Sequence, residues 1–358
     1  MDLMNYGLKE KYDQFKKYGD RLSDMKNIID WNSVRPLLND LYINNTENGG
    51  RPNYDPVLMV KILFLQSVYG IVDESVEIQM HNRLDFMNFL DFPEYIPDAR
   101  TVWYFRERLS VTGKDKTIWK SIWKQFKDKG IKIGKGTIQD ATFVESDPGH
   151  NENRDKGIPE KLGNLGNITV KDDDNSNKSK KEIKEMEKKK AIEKKNDIII
   201  GRINSKTRRS KDGTFTKKNN KTHFGYKLHT LNSSSNDLII NCATTTASLH
   251  DSNIDLSIPG IVCYRDKGYF GASIRGIDGT MDKAFRNNKL PVESIRRNLR
   301  ITKKRSRGER PYYVMKNIFN GVHVYVTTVI RVRVKNTFMC LAHNLLILTK
   351  MEKKGLIA

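Results

Sequence analysis

One aspartate in this chain stands where an apolar strand is expected to end. The run Ile261–Tyr264 is apolar and predicts a buried strand, which ends abruptly at Arg265 and Asp266. Gly268 then opens a loop. In open α/β sheets, ligands and chemistry are found at the carboxyl ends of the strands. An aspartate that only terminates a strand in a turn is very common, so Asp266 alone is weak support for a site.

Two further carboxylates strengthen that interpretation. Asp140 lies on a second predicted strand, over residues 131–143. Glu309 opens a predicted helix, because Pro311 is tolerated only in a helix's first turn. In an α/β domain that begins with a strand, Asp140, Asp266 and Glu309 can converge at one edge of the sheet.

Carboxylates that converge repel one another, so they must be protonated or bound to cations. Hard divalent ions such as Mg²⁺ or Mn²⁺ take these oxygen ligands and keep positions open for phosphate oxygens. Two such ions could activate a nucleophile and stabilise the leaving oxygen in a phosphodiester displacement. We therefore expect Asp140, Asp266 and Glu309 to be metal ligands at a site with two ions.

Lys316 lies seven residues after Glu309, on the same helix face, and could reach a phosphate beside the reacting one. The alternative is an exposed Glu and Lys on a charged surface helix. Asp251 is a competing third ligand, although we expect it to be a helix N-cap.

The charge of the chain favours a polyanionic partner. Its 358 residues hold 64 Lys and Arg against 43 Asp and Glu, a formal net charge of +21. Nucleic acid is the simplest partner for such an excess. An anionic membrane is the competitor, but the sequence has no long apolar span and no clear basic amphipathic anchor. The N-terminus does not read as a secretory signal, and the three cysteines, in apolar runs, predict reduced core residues in a cytoplasmic protein.

Residues 1–125 predict an all-helical domain. One helix follows Asp55 and Pro56, a second covers 73–81, and a third begins near Asp98. Arg100, Arg106 and Arg108 are expected to be exposed on the third. Contact with DNA and ordinary solvated charges both remain open for this domain.

Residues 126–350 predict the catalytic α/β domain, with a tail at 351–358. Two strands, over 222–230 and 237–244, are expected to pair as a hairpin, 274–288 is expected to be a loop, and a buried helix is expected over 336–349. A charged, low-complexity insertion at about 150–205 interrupts the domain, and its part 172–195 has too little apolar content to pack a core.

Several motifs resemble the DDE transposases of bacterial and archaeal insertion sequences, specifically the IS5-like branch (the IS4/IS5 superfamily) with a Tyr-Arg-Glu-Lys signature. Asp266-Lys267-Gly268-Tyr269 is similar to the second catalytic Asp with its Gly-Tyr. Arg305, Glu309 and Lys316 match the signature spacing, whereas its Tyr would fall at Thr302. Asp140 matches the first catalytic Asp. The resemblance covers nearly the whole chain, including 51–56, 223–229 and 247–251.

The resemblance implies an RNase H-like catalytic domain, a mixed sheet flanked by helices, preceded by an all-α DNA-binding domain. It implies a transposase that binds the terminal inverted repeats of its element and carries out metal-dependent cleavage and strand transfer. Asp140, Asp266 and Glu309 would be catalytic, and Arg305, Lys316 and Arg310 would contact DNA phosphates. Double-stranded DNA is the expected partner, with a homo-oligomer on DNA, no membrane, and a nucleoid-associated location. A nuclease of the same fold without strand transfer, and a DNA-binding remnant without catalysis, are the alternatives.

Overall fold

The structure, a computed structural model, describes residues 3–42, 52–134, 136–148, 210, 212–218 and 220–357. The insertion expected at about 150–205 lies outside the described residues. The chain begins with helices and continues as a sheet with helices against it. This is the predicted architecture, an RNase H-like domain after an all-α region.

The first part of the chain is helical. Its α-helices are α1 (Leu3–Phe15), α2 (Arg21–Asn27), α3 (Arg35–Leu38), α4 (Pro56–Tyr69), α5 (Val76–Asn82), α6 (Leu84–Phe89), α7 (Ala99–Thr112) and α8 (Lys114–Asp128). The predicted starts of α4 and α7 are confirmed by their caps. The Asp55 carboxylate accepts a hydrogen bond from the N–H of Val57 at 3.1 Å, and the Asp98 carboxylate accepts one from Thr101 at 2.7 Å.

In the part of the chain that the structure describes, seven strands form one mixed sheet. They are β1 (Gly136–Ser146), β2 (Thr214–Lys218), β3 (Lys221–Ser233), β4 (Ile239–Thr246), β5 (Val262–Arg265), β6 (Ile277–Thr280) and β7 (His323–Val324). The order is β2-β3-β1-β5-β6, with β4 also paired to β3 and β7 to β1. β1 pairs antiparallel with β3 and parallel with β5, and β3 and β4 form the predicted hairpin.

The expectation of a loop over residues 274–288 is wrong in part, because it contains β6. This short strand pairs parallel with β5, with Cys263 opposite Asp278. Gly279 makes the close pairing possible, because a Cβ there would lie 2.8 Å from the carbonyl oxygen of Cys263. Ile277 is 52% exposed, so the strand has no alternation of buried and exposed residues that a pattern could detect.

Three helices complete the chain: α9 (Val292–Arg305), α10 (Glu309–Asn317) and α11 (Val329–Glu352). The predicted start of α10 is confirmed. α11 is longer than the predicted 336–349 and is buried along most of its length. It packs against α4, α7 and α8 on one side and β4 on the other. One hydrophobic cluster therefore runs from the helical region into the sheet, including Phe64, Phe105, Leu228 and Phe338.

Buried ion pairs join α11 to the helical region. Arg331 pairs with Glu107 on α7, and Arg333 pairs with Asp115 on α8 at 3.0 Å. The expectation that Arg106 is exposed is wrong: it is 6% exposed and pairs with Asp73. A buried arginine requires such a partner, which a helical pattern does not reveal.

Replacing Arg333 with methionine should lower the free energy of unfolding by about 3–5 kcal/mol, because it leaves a buried carboxylate without its cation. Asp115 is 0% exposed, and beyond Arg333 it accepts a 3.3 Å hydrogen bond from Thr337. Urea unfolding followed by circular dichroism measures the change.

The matched control is Lys353→Met, which removes a pair with Asp24 whose side chains are 66% and 34% exposed. It should cost less than about 1 kcal/mol, because exposed pairs contribute little. Equal decreases in the free energy of unfolding of the two variants would show that burial of the ion pair does not determine how much its loss destabilises the protein.

Among the described residues, no single helix has the length and apolar character needed to cross a membrane; α4 and the segment Asp73–Asn82, bent by 111°, meet those criteria only as a pair.

Candidate active site

Asp140 and Asp266 lie side by side at the centre of the sheet. β1 and β5 run parallel, with Gly136 opposite Val262 and Ile138 opposite Tyr264. Extending this register by two residues brings Asp140 level with Asp266. Asp266 follows the last residue of β5, and its charge contributes to the raised pKa of Asp140, so the two carboxylates lie within electrostatic reach of each other. Of the three carboxylates expected to converge, the structure brings these two near each other, and their role in a site stays a prediction.

The end of β5 holds Asp266 in a tight turn. Its carboxylate accepts a hydrogen bond from the N–H of Gly268 at 2.8 Å and caps a short 3-10 helix over Lys267–Tyr269. A Cβ at residue 268 would lie 3.0 Å from the carboxylate oxygen. The glycine noted in the sequence thus leaves room for the carboxylate.

Asp140 is in a partly buried, electrostatically mixed environment. Burial raises the pKa of its carboxyl group above the ordinary value, and the charge of Asp266 adds to this. Arg305 and the backbone N–H of Ala141 oppose the shift. The Arg305 guanidinium lies 3.6 Å from the Asp140 carboxylate, and these side chains are 18% and 24% exposed, respectively. A cation therefore already accompanies this carboxylate.

α10 packs directly on β1 beside Asp140. The hydroxyl of Tyr312 donates to the carbonyl oxygen of Asp140 at 2.7 Å, and the hydroxyl of Thr230 lies 2.8 Å from the same tyrosine oxygen. Gly308, just before α10, allows the close approach, because a Cβ there would lie 2.7 Å from Ile138. The helix that carries Glu309 and Lys316 is thus fixed against the strand that carries Asp140.

Glu309 and Lys316 are placed differently on this helix. Lys316 is half-buried, and burial lowers the pKa of its ammonium group, while the carboxylates of Glu145 and Asp140 oppose the shift. Lys316 therefore lies within electrostatic reach of Asp140. Glu309 is exposed at the first turn of α10.

No cluster of three or more His, Cys, Asp or Glu side chains suited to a metal ion occurs in the part of the chain that the structure describes. Asp140 and Asp266 are hard oxygen donors placed next to each other, so these two fit a divalent cation. Glu309 does not join them in this arrangement. Its role as the third ligand stays a prediction.

Arg310 lies apart from the two aspartates. Its guanidinium pairs with Asp237 at 3.0 Å and is 61% exposed, and Arg307 shares the same carboxylate at 3.1 Å. Of the three arginines over 305–310, only Arg305 contacts a predicted catalytic carboxylate. Contact between Arg310 and a DNA phosphate stays a prediction.

Asp251, the competing ligand, is held by another cation. Lys227 is 8% exposed and lies 2.9 Å from its carboxylate. The expectation that Asp251 is an N-cap is wrong, because the cap of the short 3-10 helix Asp251–Asn253 is His250. Asp251 nevertheless lies near the site, since its charge, with those of Asp140 and Asp266, adds to the burial that raises the pKa of Tyr269.

Arg265, the residue before Asp266, is a supporting residue that sequence reasoning missed. Its side chain is 0% exposed. It donates to Thr280 on β6 at 2.9 Å and to the carbonyl of Ser273, in the segment after Asp266, at 3.3 Å. The available signal is a charged residue at the end of an otherwise apolar strand, and that pattern alone does not distinguish a buried arginine from an exposed strand end.

Comparison with known families gives two matches in chain order. The family described as Transposase domain (DUF772) matches residues 10–108, and the one described as Transposase DDE domain matches residues 194–345. No solved structure matches the chain. The second match includes Asp266, Glu309 and Lys316, whereas Asp140 precedes it and rests on the geometry of β1.

The matches agree with the structure on both sides of the chain. The first covers most of the helical region, and the second covers the sheet from β2 onward and most of α11. The branch within the family stays a prediction. Two transposase families thus account for the helical part and for the sheet that carries the paired aspartates, and the chain belongs to the DDE transposases of insertion sequences.

Proposed function

We propose that this transposase binds the terminal inverted repeats of its own element, cleaves the DNA there and joins the freed end to target DNA. Water would be the nucleophile for cleavage, and the freed 3′-OH would be the nucleophile for transfer. Both steps would use the centre beside Asp140 and Asp266. Mg²⁺ or Mn²⁺, as two ions, is the proposed cofactor, because the family generally uses divalent metals.

The observation that carries the proposal is that Asp140 on β1 and Asp266, directly after the parallel strand β5, lie within electrostatic reach of each other, with cationic side chains close by. Two neighbouring carboxylates in a partly buried site repel each other, and a bound cation relieves that repulsion. A divalent ion bound there would supply the charge that activates the attacking oxygen and stabilises the leaving one. Glu309 would complete the ligand set from the first turn of α10.

Basic side chains around the aspartates suit a DNA backbone. Lys316 lies within electrostatic reach of Asp140, and Arg305 contacts it. Both would bind phosphates that flank the reacting one, since arginine and lysine recognise phosphate oxygens. Arg310, exposed on the same helix as Lys316, would contact the backbone further away. The helical region would recognise the element's ends, with the protein acting as a homo-oligomer on DNA.

Two other functions are consistent with the same family. A nuclease would cut but not join, and a DNA-binding remnant would do neither. The two aspartates and the neighbouring Lys316 argue against the remnant, because a protein that only binds DNA has no need for two partly buried carboxylates close together.

The test uses the full-length protein, Mg²⁺, a labelled duplex that carries the element's end, and a supercoiled target. We expect cuts at the end of the element and labelled target DNA that contains the joined end. Cuts without joined products would favour the nuclease. Binding without cuts in Mg²⁺ or Mn²⁺ would favour the remnant.

A further inference from the structure

We propose that Arg305 acts as a counter-charge for Asp140 in the DNA-free protein, so that the site binds divalent metal well only after DNA has drawn Arg305 away. The inference rests on the proposed function, because it assumes that Asp140 is a metal ligand. It adds an order to the reaction: DNA first, metal second.

The ion pair between Arg305 and Asp140 is the first observation. The guanidinium lies 3.6 Å from the carboxylate, and most of each side chain is shielded from water. Partly buried charges are screened less than exposed ones, so the pair opposes the approach of a second cation. Any metal that binds Asp140 must share the carboxylate with Arg305 or displace it.

The weak anchoring of Arg305 is the second observation. Its Nε is buried and has no hydrogen-bond partner among the described residues, and another nitrogen is 4.0 Å from the sulfur of Met281. Arg307 differs, since it pairs with Asp237 and also donates to the carbonyl of Ser234 at 3.1 Å. Arg305 therefore has donors to spare, and a phosphate with several acceptor oxygens would satisfy them better than Asp140 does.

The position of Arg305 in the chain is the third observation. It is the last residue of α9, directly after the exposed Lys303 and Lys304. A DNA backbone that contacts these lysines would arrive beside Arg305. The same guanidinium can then pair with Asp140 without DNA and with a phosphate in its presence.

The incomplete ligand set is the fourth observation. Glu309 is exposed, and no group of three possible ligands occurs in the ranges that the structure describes. The turn Ser306–Gly308 directly links Arg305 to α10. Movement of Arg305 toward DNA would therefore act on the turn that directly precedes Glu309.

The inference requires reciprocal coupling. If DNA raises the affinity for metal by removing Arg305 from Asp140, then metal must raise the affinity for DNA by the same factor. An arginine that has only a structural role would produce neither effect. This separates the proposal from the simpler view that the pair just stabilises the fold.

The experiment measures Mn²⁺ binding to the full-length protein without DNA, by electron paramagnetic resonance of the free ion. The Arg305→Met variant keeps the length of the side chain and removes the charge. We expect it to bind Mn²⁺ about fivefold more tightly than the wild type, the effect of a pair worth about 1 kcal/mol. Combining it with Asp140→Asn should abolish the gain, which excludes binding elsewhere on the chain.

Arg307→Met is the matched control. It removes the same charge two residues away, where the partner is Asp237. We expect its Mn²⁺ affinity to change by less than about twofold, because solvent and salt screen more distant charges. Thermal unfolding of each variant verifies that the fold is retained.

Adding a duplex with the element's end should raise the Mn²⁺ affinity of the wild type and leave that of Arg305→Met almost unchanged. Unchanged or weaker Mn²⁺ binding by folded, DNA-free Arg305→Met would overturn the inference. So would equal gains in Arg305→Met and Arg307→Met. Since none of these measurements requires cleavage, the inference can fail while the protein still cuts and joins DNA, and it can hold in a protein that joins nothing.

Discussion

Replacing Asp266 with asparagine should lower the rate of DNA cleavage about a thousandfold or more while DNA binding stays near that of the wild type. The amide keeps the shape of the side chain and loses the charge that holds a divalent cation. Metal assistance is worth several kcal/mol in the transition state, which corresponds to at least this factor. Single-turnover cleavage of a labelled element end measures the rate, and a gel-shift assay without metal measures binding.

Asp278→Asn is the control for this change. Asp278 lies on the neighbouring strand β6, is 56% exposed and accepts a hydrogen bond from Thr280 at 2.8 Å. We expect its cleavage rate to stay within about threefold of the wild type, since exposed side chains outside a site have small effects. Near wild-type cleavage by the Asp266→Asn variant would remove Asp266 from the centre.

The same replacement in the other two carboxylates tests whether the centre is shared. Asp140→Asn should lose as much activity as Asp266→Asn, because the two residues are neighbours on parallel strands. An equal loss for Glu309→Gln would support its recruitment to the centre during the reaction. A loss much smaller than the other two would mean that Glu309 remains outside.

The affinity for DNA should fall about a thousandfold or more between ~50 and ~200 mM salt. The formal net charge is +21, and we expect the helical region and the segment 303–310 to cover about six or more phosphates. Each neutralised phosphate contributes about −0.9 to the slope of log affinity against log salt. Fluorescence anisotropy with a labelled duplex over a salt series measures the slope. A nearly flat dependence would mean that the charge faces something other than a DNA backbone.

Two double lysine variants test which face of the protein contacts the DNA phosphates. The Lys303→Gln, Lys304→Gln double variant should reduce the slope by about two phosphate contacts, because both side chains are exposed beside the candidate site. Lys353→Gln, Lys354→Gln removes the same charge after α11 and should leave the slope unchanged. Equal reductions would indicate that binding depends on net charge and not on the face beside Asp140.

The positions of Asp140 on one strand and of Asp266 after another could be predicted from the sequence, because local patterns predict both strands. An apolar run that ends in a charged residue predicts a strand end, and parallel strands present their ends at one edge of a sheet. The register of β1 with β5, which brings Asp140 near Asp266, is a pairing of segments far apart in the chain that no local pattern specifies. The start of α10, by contrast, was predictable from Pro311 alone.

What the sequence did not reveal depends on partners far away in the chain. Arg106 can be buried because it forms an ion pair with Asp73. Arg265 can be buried because it donates a hydrogen bond to Thr280 on β6. The early start of α11 was missed because charged and apolar residues alternate over 330–334, with the charges paired to Glu107 and Asp115 in the structure. The place of Glu309 relative to the aspartates depends on how α10 packs, which no local pattern specifies.

The burial of α11 against both the helical region and β4 has a consequence for the position of the proposed DNA cleavage. α11 packs against both the helical region and the sheet. Neither of these can therefore rotate relative to the other without opening the hydrophobic cluster around Phe338. If the helical region recognises the end of the element, the rigid contact through α11 holds that region at a fixed distance from the candidate site. The distance between the bases that are recognised and the bond that is broken is then a property of the fold. Removal of the helical region would expose the apolar surface of α11 that packs against α4, α7 and α8. Recognition should therefore be studied with point substitutions on the surface of the helical region.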